Sequence, residues 1–260
     1  MPRAKPFEFM NALRDLGIGL ASTDPENDLA SRPNRLMRRL SRAGLVVERT
    51  KPVSKDLTRF GFKPNTVFDI GVDAGTPFLY DAFPNAHFVL VDPVAESEGR
   101  AARWLSRLDA EFHCCAVGAG NGEAELTIPA GDTKTKFARS TTQEYTAQYS
   151  ESFEHFETRS VPMLPLDDLI DGKAPPFGIK IDTEGGELSV IKGAKEALKS
   201  TDFVVAEVSI RERFSGGYRF SEFVAEMGIN GFEPLEFLTP FNPQSTDCDV
   251  LFVRYDGPYF

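Results

Sequence analysis

Two short acidic stretches contain the residues whose types and spacing could do chemistry. In the first, Asp69, Gly71, Asp73 and Gly75 alternate after an apolar run, and Asp92 closes the next apolar run. A glycine-containing turn presents backbone N–H groups to a ligand, and an acid at the end of the following strand can accept hydrogen bonds from ribose hydroxyls. This layout predicts a site for a nucleotide-like ligand.

The spacing of the glycines distinguishes between two ligands of this kind. Dinucleotide-binding proteins carry G-x-G-x-x-G over the pyrophosphate, whereas this turn reads G-x-x-x-G and follows an acid, Asp69. An acid two residues before the first glycine suits a cationic ligand. S-adenosylmethionine carries an ammonium, a sulfonium and ribose hydroxyls but no phosphate, so the spacing favours it over NAD.

The second acidic stretch, residues 182–187, reads DTEGGE and follows an apolar run. Ligands of open α/β sheets bind at the carboxyl ends of the strands. Asp182 and Glu184 are therefore predicted to orient an acceptor or to take a proton from it. Glu187 is interpreted as complementing a helix dipole. A hard cation needs a fuller oxygen shell than this stretch offers, so we expect no metal ion.

The elements that position these residues alternate between strand and helix from Thr66 onward. Apolar runs predict seven strands, at residues 67–70, 88–91, 111–117, 178–181, 203–208, 231–238 and 250–254. Helices are predicted at residues 77–83, 96–108, 187–198 and 220–227. Repeated strand–helix–strand units indicate an α/β fold with a doubly wound, mostly parallel sheet. Only a loop joins the last two strands, so the last strand is expected to be antiparallel.

Residues 129–160 interrupt this alternation with a polar and aromatic sequence. Connections of this length within a compact domain are often lids or binding loops. The equally weighted alternative is a surface excursion with a short helix near residues 144–156. Just before it, residues 123–128 alternate in polarity and predict an extra strand.

Composition is typical of a soluble globular protein: 260 residues, of which 41% are hydrophobic. No apolar run approaches the ~18 residues that suggest a membrane span, and charged residues near the N-terminus break any signal-peptide core. The three cysteines lack zinc-ligand spacing. They predict reduced thiols in a cytoplasmic protein.

Charge divides the chain at about residue 60. Residues 1–60 hold 12 basic against 7 acidic residues, whereas residues 61–260 hold 17 against 32. The first segment predicts a helical extension with five clustered arginines, at positions 32, 35, 38, 39 and 42. That cluster is either a surface for an anionic partner or a solvated helix face, and the extension could mediate a homodimer. Nucleic acid is not expected, because the main domain is acidic and carries no RNA or DNA module.

Seven sequence blocks within residues 66–255 add a resemblance to a known family. In order they are VFDIGVDAG, VLVDP, CCAVGAGNGEAEL, VPMLPLDDLI, IKIDTEGGELSVIKGA, VVAEVS and DVLFV. Together they resemble the FkbM family of S-adenosylmethionine-dependent methyltransferases. The resemblance implies a class I, Rossmann-like methyltransferase that usually acts on an acceptor hydroxyl. The first motif usually reads D-x-G-A-N-x-G, so Val72 and Asp73 depart from it, and Asp92-Pro93 replaces a more common Glu-Pro.

The residues and the resemblance together predict roles in the site. The methionine end of the cofactor is assigned to Asp69, Gly71, Asp73 and Gly75, the ribose to Asp92 with Pro93, and the adenine to Ala116 and Val117. Asp182, Glu184 and Glu207 are the candidate catalytic residues, although Glu207 could instead anchor a loop. The expected acceptor is a small molecule or saccharide: a sugar, a glycolipid or a natural product. An NAD(P)-dependent oxidoreductase and a non-catalytic binding module are the alternatives.

Overall fold

The computed structural model describes residues 51–130, 137–242 and 245–260. The predicted arginine cluster and nearly all of the predicted extension lie outside these residues. The unit that begins at Thr50 includes a short helix whose Leu57 is fully buried in its core. None of the helices in the described ranges is both long and apolar enough to cross a membrane.

Helices and strands alternate along most of this unit, as the apolar runs predict. In chain order they are α1 (Lys55–Thr58), β1 (Thr66–Ile70), α2 (Pro77–Ala82), β2 (His87–Val91), α3 (Glu96–Leu105), β3 (Asp109–His113), β4 (Ala116–Val117), β5 (Gly122–Ala130), α4 (Ala147–Ser150), β6 (His155–Leu164), β7 (Phe177–Ile181), α5 (Glu187–Lys192), α6 (Lys195–Lys199), β8 (Thr201–Ser209), α7 (Phe220–Ile229), β9 (Phe232–Phe237) and β10 (Asp247–Arg254). Two 3₁₀ turns occupy Phe137–Arg139 and Leu166–Leu169.

A seven-stranded sheet forms the centre of the fold, in the order β3-β2-β1-β7-β8-β10-β9. The pairs β3–β2, β2–β1, β1–β7 and β7–β8 are parallel. The last strand, β10, is antiparallel to both of its neighbours. The predicted seven-stranded, doubly wound sheet with an antiparallel last strand is therefore confirmed. The strand order reverses between β1 and β7, and the crevice at such a switch point is where open α/β sheets bind ligands.

Side-chain alternation along the central strands builds an apolar layer on each face of the sheet. On β1, Val67 joins one buried cluster, and Phe68 and Ile70 join the other. Burying a side chain such as Phe68 contributes about 1.5–3 kcal/mol. Asp69 falls on the Val67 face by the same alternation, and its register partner on β7 is Lys180. One polar pair thus lies within an otherwise apolar layer.

Two predicted elements are each divided in two. The strand predicted at 111–117 is β3 of the large sheet followed by β4 of a second sheet, because the chain leaves the large sheet after His113. The helix predicted at 187–198 is α5 followed by α6. It breaks at Gly193, where an added Cβ would lie 2.0 Å from the backbone oxygen of Gly118. This close approach between two backbones positions the break.

The second sheet has three strands in the order β4-β6-β5. The extra strand predicted at 123–128 lies inside β5, which pairs antiparallel with β6. The long connection predicted at 129–160 is shorter at both ends, since β5 runs to Ala130 and β6 begins at His155. Residues 131–136 of this connection lie outside the described residues. The short helix predicted within this segment is α4. Leu126 and Ile128 of β5 and Val161 of β6 are buried in one apolar cluster, and this burial favours the pairing of the two strands.

Candidate active site

A cavity lies at the switch point between β1 and β7. Its wall is built from the turn after β1, the ends of β2 and β4, the turn after β7, and residues 137–142. At Gly71 (φ 84°), an added Cβ would lie 1.7 Å from the backbone oxygen of Asp182. Only glycine allows this contact together with this backbone conformation. Gly71 therefore brings the two predicted acidic stretches together on one wall.

Asp92 lies at the end of β2, on the cavity wall, and is 6% exposed. Its two carboxylate oxygens each accept one backbone N–H, from Asp73 and from Val94, both at 2.8 Å. Burial raises the pKa of Asp92, whereas these two hydrogen bonds lower it. The carboxylate has about four acceptor positions and therefore retains at least one for a ligand. The carboxylate is thus oriented by the backbone and can still accept hydrogen bonds from a ligand.

Asp73 and Gly75 also line the cavity. The Asp73 carboxylate forms an ion pair with Arg100 of α3 at 2.8 Å, and the Arg100 guanidinium carbon lies 5.4 Å from the centre of the Phe137 ring. Burial raises the pKa of Asp73, and the charge of Arg100 opposes that rise. Sequence reasoning did not single out Arg100, which lies on a helix with no motif of its own.

Asp69 lies behind the wall, is fully buried, and does not line the cavity. Its carboxylate accepts hydrogen bonds from the Tyr80 hydroxyl at 2.5 Å and the Thr76 hydroxyl at 3.1 Å. Burial raises the pKa of Asp69, while nearby Lys180 lowers it. The contacts tie β1 to the turn and to α2. The structure therefore gives Asp69 an indirect position, unlike the direct ligand contact that its place in the motif suggested.

The opposite part of the cavity wall is mainly apolar. Pro93, Ala116 and Val117 line it, as their sequence assignment requires. Leu126 of β5 and Phe137 also line it, and sequence reasoning missed both. The available signal was the alternation of residues 123–128, which predicted a strand but not which side of the sheet that strand would cover.

Asp182 lines the cavity directly after β7. Its carboxylate lies 3.1 Å from the ammonium of Lys180, which is also 3.3 Å from the Gly71 carbonyl oxygen. Burial lowers the pKa of Lys180, but the carboxylates of Asp182 and Asp69 raise it by more. This lysine, which also lines the cavity, was missed. The sequence feature that could have identified Lys180 is its charge, because it is the single charged residue within the apolar strand β7.

Glu184 follows two residues later and also lines the cavity. Its carboxylate lies 2.5 Å from Arg213. Burial raises the pKa of Glu184 to about 7, although Arg213 lowers it. Glu187 is fully buried and accepts the backbone N–H groups of Thr183 and Gly185 at 3.0 and 2.9 Å. Beyond any effect on the helix dipole, Glu187 therefore shapes the turn that carries Glu184.

Glu207 lies on β8, beside the end of β7, and does not line the cavity. Asp182, Glu184 and Glu207 each offer a carboxylate oxygen, and these atoms all lie within 4.8 Å of one another. Burial, followed by the charge of Asp182, raises the pKa of Glu207 well above its ordinary value. Two of the three carboxylates already pair with Lys180 and Arg213. We therefore assign no metal to this group.

Comparison with known proteins gives one family match. The chain matches the Methyltransferase FkbM domain over residues 69–234. A crystal structure of an FkbM methyltransferase from Methylobacillus flagellatus is 17% identical, with 78% of this chain covered, 48% of that chain covered and a TM-score of 0.48. This chain therefore spans about half the length of that protein. No curated protein sequence matches the chain.

Two further solved structures are similar over nearly the whole chain. An O-methyltransferase from Bacillus cereus in complex with S-adenosylhomocysteine is 14% identical, with 95% of this chain and 96% of that chain covered and a TM-score of 0.46. A 1,6-didemethyltoxoflavin N1-methyltransferase from Burkholderia thailandensis is 16% identical, with 98% of this chain and 92% of that chain covered and a TM-score of 0.41. These likenesses are too distant to carry an argument about the site.

The donor set of the cavity fits S-adenosylmethionine. Asp92 supplies the oriented carboxylate that ribose hydroxyls require, and the glycine turn lines the cavity beside it. The apolar part of the wall suits a purine ring, and the excess of carboxylates suits a sulfonium cation. The family match covers well over half of the chain and replaces the NAD(P) alternative. The chain belongs to the FkbM family of S-adenosylmethionine-dependent methyltransferases, with the class I Rossmann-like fold that the sequence predicted.

Proposed function

We propose that the protein transfers the methyl group to a hydroxyl oxygen of a small-molecule or saccharide acceptor, such as a sugar, a glycolipid or a natural product. The observation that supports this proposal is the group of three carboxylates, Asp182, Glu184 and Glu207, beside the glycine turn. Carboxylates accept hydrogen bonds from hydroxyls and can take up the proton that a hydroxyl loses on methylation.

The residues divide into a cofactor side and an acceptor side. On the cofactor side, Gly71, Asp73 and Gly75 hold the methionine end and Asp69 supports their turn from behind. Asp92 with Pro93 holds the ribose, and Ala116 and Val117 contact the adenine. When bound, S-adenosylmethionine supplies a methyl group activated by its sulfonium.

On the acceptor side, Asp182 accepts a hydrogen bond from the hydroxyl and fixes the direction of its oxygen. Orientation of this kind can supply about 7–11 kcal/mol of the barrier reduction. Glu184 is the proposed general base, because its pKa of about 7 lies near the operating pH at which such a base works best. Glu207 is the third candidate catalytic residue: it stands behind the other two, and its raised pKa favours a protonated carboxyl, which limits the negative charge of the group.

Transfer of a labelled methyl group tests this proposal. The full chain is incubated with methyl-tritiated S-adenosylmethionine and acceptor panels of glycosides, glycolipids, phenols and amines, and mass spectrometry locates the methyl group. We expect label on oxygen, and we expect Asp182→Asn to lower kcat by at least 100-fold. Glu123→Gln, at an exposed acid outside the cavity wall, is the matched control. Label on nitrogen or carbon would contradict the proposed oxygen acceptor. Asp182→Asn and Asp92→Ala variants that retain the full biological role would favour the non-catalytic alternative.

Three assignments outside the site belong to the same proposal. We place the protein in the cytoplasm, and its three free cysteines support that location. Of the predicted extension, residues 1–49 are proposed as a separate helical segment that mediates a homodimer, whereas residues 50–60 belong to the unit that begins at Thr50. Light scattering of the full chain and of residues 50–260 tests the dimer, which should be present only with the extension.

A further inference from the structure

Two acidic residues on the cavity wall have a left-handed backbone. Asp73 (φ 46°) and Glu184 (φ 52°) are the two residues other than glycine with positive φ in the part of the chain that the structure describes. This conformation is unfavourable for residues with a Cβ and persists only where the surroundings over-determine it. Each of these acids is paired with an arginine, Arg100 or Arg213.

Glu184 is held from three directions. Its carboxylate accepts a hydrogen bond from Arg213 at 2.5 Å, and its carbonyl oxygen accepts one from the Thr141 hydroxyl at 2.6 Å. The next residue, Gly185, packs so closely against the Phe214 ring that an added Cβ would lie 2.5 Å from it. The turn is therefore clamped between residues 213–214 and the segment that contains Thr141.

The arginine is itself fixed in place. Its side chain is 5% exposed, and its carbonyl oxygen accepts the Thr146 N–H at 2.9 Å. The Ser215 N–H donates to the Glu144 carbonyl at 2.7 Å, and the rings of Tyr145 and Phe214 lie 5.0 Å apart. The segments 213–215 and 144–146 thus form one support behind the Glu184 turn.

We propose that Arg213 is a positioning residue, which holds the Glu184 carboxylate against the acceptor side of the cavity. The proposal deepens the proposed function, since it rests on Glu184 acting on the acceptor. The sequence did not indicate this role, since Arg213 belongs to none of the seven motif blocks.

The charges around Glu184 give Arg213 a second effect besides geometry. Among the described residues, Arg213 is the cation that pairs with the Glu184 carboxylate. The other titratable groups that face Glu184 in these ranges are Asp182, Glu187, Glu207, Tyr145 and Asp247. Burial raises the pKa of Glu184, and the carboxylates of Asp182, Glu187 and Asp247 raise it further. The charge of Arg213 lowers it. Removing the guanidinium should therefore leave Glu184 protonated at neutral pH.

Carbon-13 NMR of the full chain, labelled at the glutamate carboxyl carbons, measures this titration without an acceptor. The Glu184→Gln variant assigns the signal. We expect Arg213→Met to move the midpoint upward by at least one pH unit, a tenfold change in proton affinity. Arg213→Lys should recover part of that shift. Arg159→Met is the matched control, since it breaks a pair with Glu96 outside the cavity wall and should leave the midpoint unchanged.

Two further measurements separate the possible failures. Each variant is tested for thermal unfolding and for binding of S-adenosylhomocysteine, which we expect to stay within threefold of wild type. An unmoved midpoint in a folded Arg213→Met protein overturns the proposal. If that variant does not fold, Arg213→Gln carries the same expectation and the same refuting result. If the Glu184→Gln variant methylates an acceptor as fast as wild type while the midpoint shifts as expected, the proposed function of Glu184 fails. The positioning of the Glu184 carboxylate by Arg213 then still stands.

Discussion

Replacement of Gly71 by alanine tests whether the contact between the two turns builds the site. The new Cβ would lie 1.7 Å from the Asp182 carbonyl oxygen, well inside any real contact. The residue would also keep φ at 84°, which costs about 1–2 kcal/mol for a residue with a Cβ. Relief of the clash by a backbone shift costs about 1–3 kcal/mol more. We expect Gly71→Ala to lower the free energy of unfolding by about 2–5 kcal/mol.

The same shift should weaken cofactor binding. Moving the turn displaces its backbone N–H groups, and the loss of two hydrogen bonds of about 1 kcal/mol each corresponds to roughly thirtyfold in Kd. Isothermal calorimetry with S-adenosylhomocysteine measures the affinity, and urea unfolding measures the stability.

Gly61→Ala is the matched control for this substitution. Gly61 also has positive φ (77°), but no atom lies within 4 Å of its added Cβ. The Gly61→Ala variant should therefore lose only about 1–2 kcal/mol of stability from the backbone conformation. Its affinity for S-adenosylhomocysteine should stay within twofold of wild type. Equal affinities in Gly71→Ala and Gly61→Ala would refute the reasoning that the Gly71 contact shapes the cofactor turn.

Three other outcomes are expected. Asp92→Ala should weaken S-adenosylhomocysteine binding by about 10- to 100-fold, because hydrogen bonds to a charged acceptor contribute about 1.5–3 kcal/mol. Calorimetry measures the affinity, with Asp109→Ala, at an exposed acid, as the control. Equal affinities of the two variants would contradict the ribose role of Asp92. Tyr80→Phe should lower the free energy of unfolding by about 1–3 kcal/mol, because it leaves a buried Asp69 oxygen unsatisfied. It should change the affinity for S-adenosylhomocysteine less than threefold. Unchanged stability with a large loss of affinity would instead indicate that Asp69 contacts the cofactor. The pKa of Glu184 is raised from 4.5 to about 7 in the folded protein, so the folded state holds a proton that the unfolded chain has lost. Stability should therefore fall as pH rises from about 4.5 to 7, by about 2–3 kcal/mol from this group. Urea unfolding should show a smaller fall for Glu184→Gln, and an identical fall would refute the assignment.

The large sheet could be predicted because its central strands are buried on both faces. Strands β1 and β7 are apolar except for Thr66, Asp69 and Lys180, so their apolar runs stand out from the chain. The antiparallel last strand followed from the lack of a helix before it. The helix break at Gly193 could not be predicted, because it depends on contact with Gly118, far away in the sequence.

The candidate site was predictable where residues follow a strand directly. Asp92 and Asp182 were found in this way, because the carboxyl ends of parallel strands meet at one edge. Arg213 was missed because its partner Glu184 lies 29 residues earlier, on a different element, and its own segment has no pattern. Leu126 was missed for a similar reason, since a second sheet brings it to the cavity. Position within a motif did not indicate that Asp69 is buried behind the cavity wall, because that depends on how β1 packs against α2.

In our proposal, the cavity at the switch point holds the cofactor with its sulfur facing the three carboxylates. A crystal structure of the full chain with S-adenosylhomocysteine tests it most directly. We expect ribose hydroxyls within hydrogen-bonding distance of Asp92, the adenine against Val117, and the sulfur directed toward Asp182 and Glu184. A ligand whose ribose lies away from Asp92, or whose sulfur points away from these carboxylates, would contradict it.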